Sequence, residues 1–573
     1  MRLRSWSLAM LILLTAPGRL ALASETLLLH GHIYTGNPRA PWAAALSVSG
    51  SRIDGVGTDE EIVKRGGPKS RVVDLHGRTV IPGIVDSHSH VLWGAFALRG
   101  FNLSTPEWTI TPDQDERLVE AIRAYAAAHR TEPIVFGRAD FSTVPPTTPG
   151  HEQLDRALAD RPIVILNTSG HAYWLNAAAI SAAGVTNRPV ADPDEERGVI
   201  RDASGNPSGM FFEAAMEIVY RGILARVAEE EQLAMLRVAV HHLNTYGITS
   251  VVNATGNLRE IGLFARLKER GQLTVRTRTA FGAVAVRQRL TPEFLSALEE
   301  ARRRYHDAWV SANLVKLFAD GSTGLVPPLV YEPHEFADLV VELDKRGYQI
   351  MTHTQRIDAL HMILDAYQRA LETNPPRDRR MRIEHVFLAE NADIARFGEL
   401  GVIAAMQPTF CCSENGSFNY LPQPVPTDQW RSLKSAGATL AFGSDWPCTW
   451  PPDPFVGMQE AVTRQVWRAP GLVGVAGEPF DGSAQAGAVA TGDSYLPQER
   501  LSIQEAVDAY TQGAAYAAFL DDQVGTLERG KEADLAVLSQ NILAVPALEI
   551  SKTRVLMTMV GGRVVYRGEE WKR

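Results

Sequence analysis

The chain contains very little cysteine. Its three cysteines, Cys411, Cys412 and Cys448, form no CxxC pair, so we expect neither a disulfide-rich scaffold nor a cysteine metal site. The odd number leaves at least one thiol unpaired. In an oxidising compartment, a bridge from Cys448 to Cys411 or to Cys412 stays open.

Long apolar runs are also missing, apart from one near the N-terminus. Residues 1–4 are basic, residues 8–15 are apolar, and residues 21–23 give the small-x-small pattern that precedes a signal cleavage site. The apolar run is shorter than the roughly 20 residues that a membrane span needs. The sequence therefore predicts a signal peptide over residues 1–23, export to the periplasm or the exterior, and no membrane span in the mature chain.

The chain has no excess of positive charge. It carries 57 Lys and Arg against 66 Asp and Glu, a formal net charge of -9 at pH 7. Removal of the three arginines in residues 1–23 makes the mature chain more negative still. Nucleic acid binding needs a basic surface, so nucleic acid is not an expected partner. A small molecule is the partner that we expect instead. The oligomeric state stays open, a homodimer included.

The length of 573 residues predicts two to four structural units. Short predicted strands separated by turn residues fill residues 25–79 and recur in residues 533–566. Neither cluster is long enough to bury a good core alone. We therefore expect the two chain ends, residues 24–80 and 521–573, to form one small β-sandwich.

Between these ends, residues 81–520 alternate predicted strands with helical patterns. Eight β–α repeats indicate an α/β fold, a (β/α)8 TIM barrel. The gap between the first two strands is too long for one crossover, so residues 100–230 are expected to form an inserted cap. The strands are predicted within residues 80–90, 248–252, 275–280, 314–318, 348–352, 381–384, 401–406 and 439–443.

The first strand ends in His88 and His90. Strand side chains alternate between faces, so both imidazoles point the same way and converge just past the strand end. Two neutral imidazoles at one point are the start of a divalent-metal site. An HxH pair alone is more typical of hydrogen-bonded loop histidines than of a metal site.

Further ionisable side chains lie at the ends of later strands, which meet at the mouth of a TIM barrel, where function resides. Each has a structural interpretation by itself, as a satisfied core histidine, a surface lysine or a helix N-cap. All of them together predict a site. The set comprises His88 and His90 from strand one, Lys316 from strand four, His353 from strand five, His385 from strand six and Asp445 from strand eight.

The motifs around these residues resemble the amidohydrolase superfamily, and within it amidohydrolase family 3, which includes YtcJ-like proteins and N-substituted formamide deformylases. The resemblance extends over nearly the whole mature chain. It rests on residues 82–90, 315–322, 382–385, 406–408, 443–447 and 525–535.

The resemblance implies a binuclear metal centre, usually with zinc, bridged by a lysine carboxylated by carbon dioxide. A partly buried lysine beside two cations has its ammonium form disfavoured, which is consistent with a carbamate. A mononuclear site with an unmodified lysine stays the alternative. In the implied arrangement His88, His90 and Asp445 hold one metal, His353 and His385 hold the other, and Lys316 is the bridge.

The implied reaction is metal-dependent hydrolysis of a non-peptide carbon–nitrogen bond in an amide, an N-acyl amine or an N-formyl amine. Asp445 would take a proton from the metal-activated water and return it to the leaving nitrogen. His171 matches a family Gly-His pair and would donate to the carbonyl oxygen, with a packed cap histidine as the alternative. Glu213 also matches a family position, as a substrate contact or a salt bridge.

The chain departs from the family pattern at the mouth. Arg356 and Ile357 stand where the family has Gly-Asp after the strand-five histidine, and Phe410 replaces the histidine that follows Gln407-Pro408. None of these is a predicted ligand, so the metal expectation holds while substrate identity does not carry over. Gln407 and Arg356 are candidate substrate contacts, and Arg356 is either an anion-recruiting residue or part of a surface ion pair.

Two other functions stay open. An ester or lactone hydrolase would use the same metals, because attack on an activated carbonyl scarcely differs. A non-catalytic, metal-stabilised ligand-binding protein of the envelope is the second. Against it, a purely structural metal site has no need of an open water position.

Overall fold

A computed structural model describes residues 25–103, 115–141, 149–282, 287–321, 329–411, 426–468, 489–491 and 494–572. The predicted signal peptide, residues 1–23, lies outside the described residues. Eight parallel strands in one sheet form the centre of the molecule. In chain order they are β1 (Ile84–Ser89), β2 (Ile248–Asn253), β3 (Arg276–Phe281), β4 (Val310–Phe318), β5 (Gln349–Thr354), β6 (Arg382–His385), β7 (Ile403–Met406) and β8 (Thr439–Phe442).

Each of these strands pairs with its neighbour in chain order, and the segment after β8 returns to β1. The amide of Asp445 donates to the carbonyl of His88 at 2.6 Å, and the amide of His90 donates to the carbonyl of Trp446 at 2.7 Å. These bonds bring the two edges of the sheet together beside the predicted site. The arrangement confirms the predicted TIM barrel.

The predicted first strand is in fact two strands. Residues Thr79–Pro82 belong to the sandwich, and β1 begins after Gly83. A Cβ at Gly83 would lie 2.3 Å from Oγ1 of Thr249 on β2, so only glycine lets the chain pass so close to the barrel wall. Both halves are fully buried, so their apolar pattern is continuous and does not reveal the break.

Amphipathic helices cover the barrel. In Ile357–Thr373, the buried side chains Ala359, Ile363 and Tyr367 recur every four residues and form one stripe. Pro292–Arg304 starts at Thr291, whose hydroxyl accepts from the amide of Phe294. The helices that follow the strands are Val91–Arg99, Leu258–Glu269, Pro292–Arg304, Pro333–Lys345, Ile357–Thr373, Asn391–Leu400, Trp430–Ser435 and Pro454–Thr463, with Glu229–Thr245 before β2.

The two chain ends pair as expected. Strand Leu535–Leu538 runs antiparallel to Thr79–Pro82, so the C-terminal segment completes a sheet begun by the N-terminal one. A four-stranded sheet faces it across a shared apolar core. The six-stranded sheet has the order Arg563–Arg567, Val555–Val560, Leu535–Leu538, Thr79–Pro82, His32–Tyr34 and Trp42–Ala43, and the four-stranded sheet the order Arg52–Gly57, Ala45–Ser49, Thr26–Leu29 and Arg71–Asp74, with helix Asp59–Arg65 beside it.

The segment between β1 and β2 contains a separate mixed sheet of six strands. One of its faces joins the barrel's hydrophobic core, and the other packs against helices Asp115–Ala128 and His151–Ala157. Its strands, in sheet order, are Val199–Arg201, Pro207–Phe212, Ala172–Leu175, Ile163–Asn167, Val135–Ala139 and Phe101–Leu103, and its remaining helices are Ala177–Ala183, Pro193–Gly198 and Met216–Gly222.

The remaining described elements are short. Strands Val466–Arg468 and Val489–Thr491 pair with each other, and helices Ile503–Asp508 and Ala514–Ala517 lead back to the sandwich. No helix among the described residues is long and apolar enough to cross a membrane. Cys448 is a free thiol, so neither of the bridges left open for it is formed.

Candidate metal centre

Partner groups orient the two histidines of β1. His88 and His90 are buried at the carboxyl end of the strand. Nδ1 of His88 lies 2.5 Å from Oε2 of Glu384, and Nδ1 of His90 lies 2.9 Å from Oγ1 of Thr255. With Nδ1 engaged, each ring presents Nε2 as its free ligand atom.

The histidines of β5 and β6 differ in their partners. Nδ1 of His385 lies 2.6 Å from Oε1 of Gln407, which leaves Nε2 as the ligand atom. Nε2 of His353 lies 3.6 Å from Oδ1 of Asp320, which is beyond hydrogen-bond distance, and it has no hydrogen-bond partner within the described residues. Side chains behind the rings therefore orient His88, His90 and His385 through Nδ1.

Asp445 completes the group. Its Oδ1 lies 3.1 Å from Nε2 of His90 and 3.5 Å from Nε2 of His88. Ligand atoms of His88, His385 and Asp445 all lie within 4.8 Å of one another, so these three residues can hold one metal ion. This trio combines members of the two predicted ligand sets, because His385 was assigned to the other metal.

Lys316 lies on β4 with its side chain almost wholly buried. Its Nζ is 4.7 Å from the centre of the Phe318 ring. Burial lowers the pKa of Lys316 to about 8, although the carboxylates of Glu384 and Asp445 act in the opposite direction. The neutral amine is therefore a minor species at neutral pH, but far more populated than in an exposed lysine.

The donor set fits a divalent metal. Burial lowers the pKa of His88, His90, His353 and His385, in the last case to about 4, so the four imidazoles are neutral. Burial alone would raise the pKa of Asp445, but the adjacent His88 and His90 outweigh it and lower that pKa. Neutral imidazoles and an ionised carboxylate are the ligands that zinc and similar metals prefer.

An unmet hydrogen-bonding requirement supports the same fit. Within the described part of the chain, the buried Nε2 of His88 has no hydrogen-bond partner, and neither has the buried Nε2 of His353. Buried polar atoms in proteins are almost always hydrogen-bonded, so such exceptions mark places where another group binds. A metal at the centre would satisfy His88.

Glu384 contacts the candidate site through His88, and the sequence interpretation missed it. It is fully buried and accepts hydrogen bonds from Nε and Nη2 of Arg382 at 2.6 and 2.9 Å. Arg382 also donates to the carbonyl of Ser87 at 2.7 Å, which ties Glu384 to the strand that carries His88. The signal was present, because Glu384 lies directly before His385 in a motif that was used only for its histidine.

Asp320 was missed as well. It is fully buried, and burial raises its pKa to about 7. Its Oδ2 accepts from the amides of Gln355 and Arg356 at 2.8 and 2.9 Å, which leaves Oδ1 directed towards His353. Asp320 follows Lys316 by four residues in a matched motif, but nothing in that spacing predicts contact with the strand-five loop.

The cap brings His171 to the same place. The centre of its ring is 5.3 Å from that of His353, and its Nδ1 lies 2.8 Å from Oε2 of Glu213. Burial alone would lower the pKa of His171, but the Glu213 carboxylate outweighs it and raises that pKa. The two cap residues singled out from the sequence therefore form one unit beside the donor set.

Arg356 and Gln407 lie less directly at the centre. Arg356 donates from Nε and Nη2 to the two carboxylate oxygens of Asp358, each at 2.9 Å, on a partly exposed surface. The surface ion pair considered for Arg356 is thus present. Gln407 supports His385 through Oε1. A substrate contact for either residue stays a prediction.

A TIM barrel with imidazole and carboxylate donors at its mouth is the architecture of metal-dependent hydrolases. The sequence profile of the amidohydrolase family matches residues 71–566, and the chain belongs to that family. The expected resemblance is therefore confirmed.

The chain is similar to characterised and named relatives along almost its full length. It is 26% identical to the N-substituted formamide deformylase of Arthrobacter pascens, over 95% of this chain and 98% of the relative. It is 25% identical to the putative amidohydrolase YtcJ of Bacillus subtilis, over 94% and 98%. It is also 26% identical to the protein LONG AFTER FAR-RED 3 of Arabidopsis thaliana, over 96% and 93%.

Solved structures share the fold. An uncharacterized metal-dependent hydrolase from Pyrococcus horikoshii superposes with a TM-score of 0.68 at 22% identity, over 91% of this chain and 99% of that one. A counterpart from Pyrococcus furiosus gives 0.66 at 23% identity, over 91% and 100%. The barrel, the sandwich and their connection are therefore shared with these proteins.

Proposed function

We propose that the protein is an exported amidohydrolase that hydrolyses a non-peptide carbon–nitrogen bond in an amide, an N-acyl amine or an N-formyl amine. The observation that supports this most is the convergence of neutral imidazoles, a low-pKa carboxylate and a low-pKa lysine at one buried point. The similarity to an N-substituted formamide deformylase supports the choice of a carbon–nitrogen bond. Residues 1–23, as a signal peptide, support export.

A divalent metal, zinc in this proposal, supplies Lewis acidity that acidifies water and polarises a carbonyl oxygen when it is bound. His88, His90, His353, His385 and Asp445 would hold one or two such ions, and Lys316, as a carbamate formed with carbon dioxide, would supply a further anionic oxygen ligand. The lowered pKa of Lys316 supports this role, since only the neutral amine reacts with carbon dioxide.

The protein's own groups perform the proton transfers. Oδ1 of Asp445 accepts a proton from the attacking water and later returns it to the leaving nitrogen. His171, held by Glu213 and protonated more readily than an ordinary buried histidine, donates to the carbonyl oxygen of the substrate. The buried setting excludes bulk water and strengthens both interactions.

The deciding experiment is metal content per chain in residues 24–573, native against Lys316→Ala, with the exposed Lys345→Ala as the matched control. We expect about two equivalents in the native protein and in the control, and one or fewer in Lys316→Ala. One equivalent unchanged by Lys316→Ala would show a mononuclear site. No metal in any variant after reconstitution with zinc would refute the proposed hydrolase.

A second measurement separates carbon–nitrogen from ester hydrolysis. Paired substrates with the same acyl group, one an anilide and one a phenyl ester, are compared by kcat/KM in the metal-loaded protein. The proposal expects turnover of the anilide that Asp445→Ala abolishes. Turnover of the ester alone would favour the ester or lactone hydrolase instead.

A further inference from the structure

Six arginines are buried in the described residues, and five of them donate to two or more different residues, although Nη1 of Arg276 and Nη1 of Arg382 have no hydrogen-bond partner there. These five are Arg276, Arg278, Arg379, Arg382 and Arg464. Arg138 differs from them, because it donates to one residue only. Arg138 is 3% exposed, its Nη2 donates to the carbonyl of Cys448 at 2.7 Å, its guanidinium lies 6.0 Å from the centre of the Trp450 ring, and its Nε has no hydrogen-bond partner in the described chain.

Arg138 also lacks a counter-ion. No ion pair within 4.0 Å joins it to any carboxylate of the described residues, and the nearby Asp140 is exposed and bonded to Thr168. Burial accordingly lowers the pKa of Arg138 to about 10. A buried charge without a counter-ion destabilises the folded protein, so a protein retains one only where it serves a purpose.

The position of Arg138 indicates what that purpose is. It lies on cap strand Val135–Ala139, and it shares a face with Phe136, which belongs to the barrel-side core. Its acceptor, Cys448, is three residues after Asp445, and the amide of Cys448 donates to the carbonyl of Asp445 at 2.7 Å. The guanidinium therefore contacts the turn that directly follows Asp445.

The loop that carries His171 closes the same space. A Cβ at Gly170 would lie 2.5 Å from Sγ of Cys448, and Gly170 has a φ of +77°. Glycine thus lets the His171 loop lie against the Cys448 turn. Arg138 and the loop that carries His171 therefore both contact the Cys448 turn.

We infer that Arg138 binds a carboxylate of the substrate, so that the hydrolysed amide is an anionic compound. That the substrate is an amide rests on the proposed function. That it carries a carboxylate rests on the position of Arg138 in the cap. The unused N–H groups of Arg138 would supply the charge-assisted hydrogen bonds that a planar carboxylate accepts. Arg356, which the sequence offered as an anion-recruiting residue, is already paired with Asp358.

The test uses acetate and acetamide, which match in size and differ in charge, as probes of the metal-loaded protein. Binding is measured by thermal shift in the native protein, Arg138→Met, Arg138→Lys and Arg278→Met. Arg278 is the matched control because it is a buried arginine whose pKa burial also lowers to about 10, but it bonds to carbonyls of Thr277, Asp307 and Ala518.

We expect Arg138→Met to weaken acetate binding about tenfold or more, with acetamide unaffected. Arg138→Lys should bind acetate with intermediate affinity, and Arg278→Met should match the native protein. Equal acetate affinity in Arg138→Met and the native protein would overturn the inference. So would the absence of acetate binding to the native protein at an ionic strength held constant with chloride.

Unfolding in urea, without ligand, is a second readout. An unpaired charge that serves a ligand destabilises the free protein, so Arg138→Met should unfold at the native urea midpoint or above it. A midpoint lowered as far as in Arg278→Met would mark Arg138 as structural and overturn the inference. Neither readout needs turnover, so a failure of the amide proposal, seen as no hydrolysis of any anilide, is distinguishable from a failure here.

Discussion

Buried polar groups at the two ends of the barrel differ in whether they have partners. At the amino end, Arg276 is fully buried but donates to both oxygens of Asp534 and to Glu532, at 2.9 to 3.1 Å. At the carboxyl end, buried atoms of His88 and His353 have no hydrogen-bond partner among the described residues. An arginine paired with carboxylates fastens the sandwich to the barrel, whereas histidine nitrogens without a partner mark the candidate metal site.

This difference shows how one architecture separates stability from function. The ion pair of Arg276 joins β3 to the C-terminal return of the chain. Its loss should therefore lower the free energy of unfolding and leave kcat unchanged. The buried ligand candidates at the barrel mouth destabilise the protein when no ligand is bound. Their removal should therefore lower catalytic activity and leave the free energy of unfolding unchanged or raise it. Variants at the two ends test the separation directly.

The largest effect is expected for Asp445→Asn. Asp445 has a φ of +55°, a conformation that asparagine tolerates, so the backbone should be preserved while the proton acceptor is lost. We expect kcat on an anilide substrate to fall about 10³-fold with no loss of stability in urea. Retention of more than about a tenth of the native kcat would show that another group moves the proton.

At the opposite end, Arg276→Met should destabilise the protein by about 3–5 kcal/mol, because Asp534 would stay buried without a counter-ion and Glu532 would keep only the exposed Arg52. The measurement is the free energy of unfolding in urea, together with kcat of the folded fraction, which should not change. Arg52→Met is the control, since Arg52 contacts the same Glu532 at 3.3 Å but is 59% exposed. Equal losses in the two variants would contradict the comparison.

Glu384→Gln tests the orientation of His88. A carboxylate behind a metal-binding histidine fixes its tautomer and raises its basicity, so metal affinity should fall about 10- to 100-fold. The measurement is competition with a chromogenic chelator. The control is Glu399→Gln, on the exposed face of helix Asn391–Leu400, which should retain native affinity. Unchanged affinity in Glu384→Gln would remove Glu384 from the site.

The smallest effect is expected for Glu213→Gln, which acts on the pKa of His171. The folded-state pKa of His171 is raised, so its ion pair with Glu213 is fully present below the unfolded pKa of about 6.5 and is lost as pH rises through the folded pKa. The variant should shift the alkaline limb of the pH–kcat profile to lower pH by about one unit. A profile that superimposes on the native one would show that protonated His171 is not required.

Much of the fold was predictable because barrel strands and helices are local patterns. β2 was expected at residues 248–252 and spans Ile248–Asn253, and the helical period found between Ala359 and Leu371 lies within Ile357–Thr373. The break at Gly83 was not predictable, because two consecutive buried strands in different sheets share one apolar pattern. Only the approach of Thr249 makes the glycine necessary there.

The ligand candidates were predictable for the same reason, since each is an ionisable residue, a histidine, lysine or aspartate, at a predicted strand end. The groups that orient them were not. Glu384 contacts His88 across 296 residues of sequence, and the predicted division of ligands between two metals did not anticipate the close group of His88, His385 and Asp445. No local spacing encodes contacts between strands on opposite sides of a closed barrel.

The sequence by itself determined the barrel, the joined chain ends, the family and the residue types available for chemistry, because periodicity and short motifs are properties of neighbouring residues. The tertiary structure alone decided which atoms have partners. It paired Arg276 with two carboxylates, left Nε of Arg138 and Nε2 of His88 without a hydrogen-bond partner among the described residues, and so separated the groups that hold the molecule together from those that can bind another group. That distinction depends on burial and on distances across the fold, which barrel closure sets.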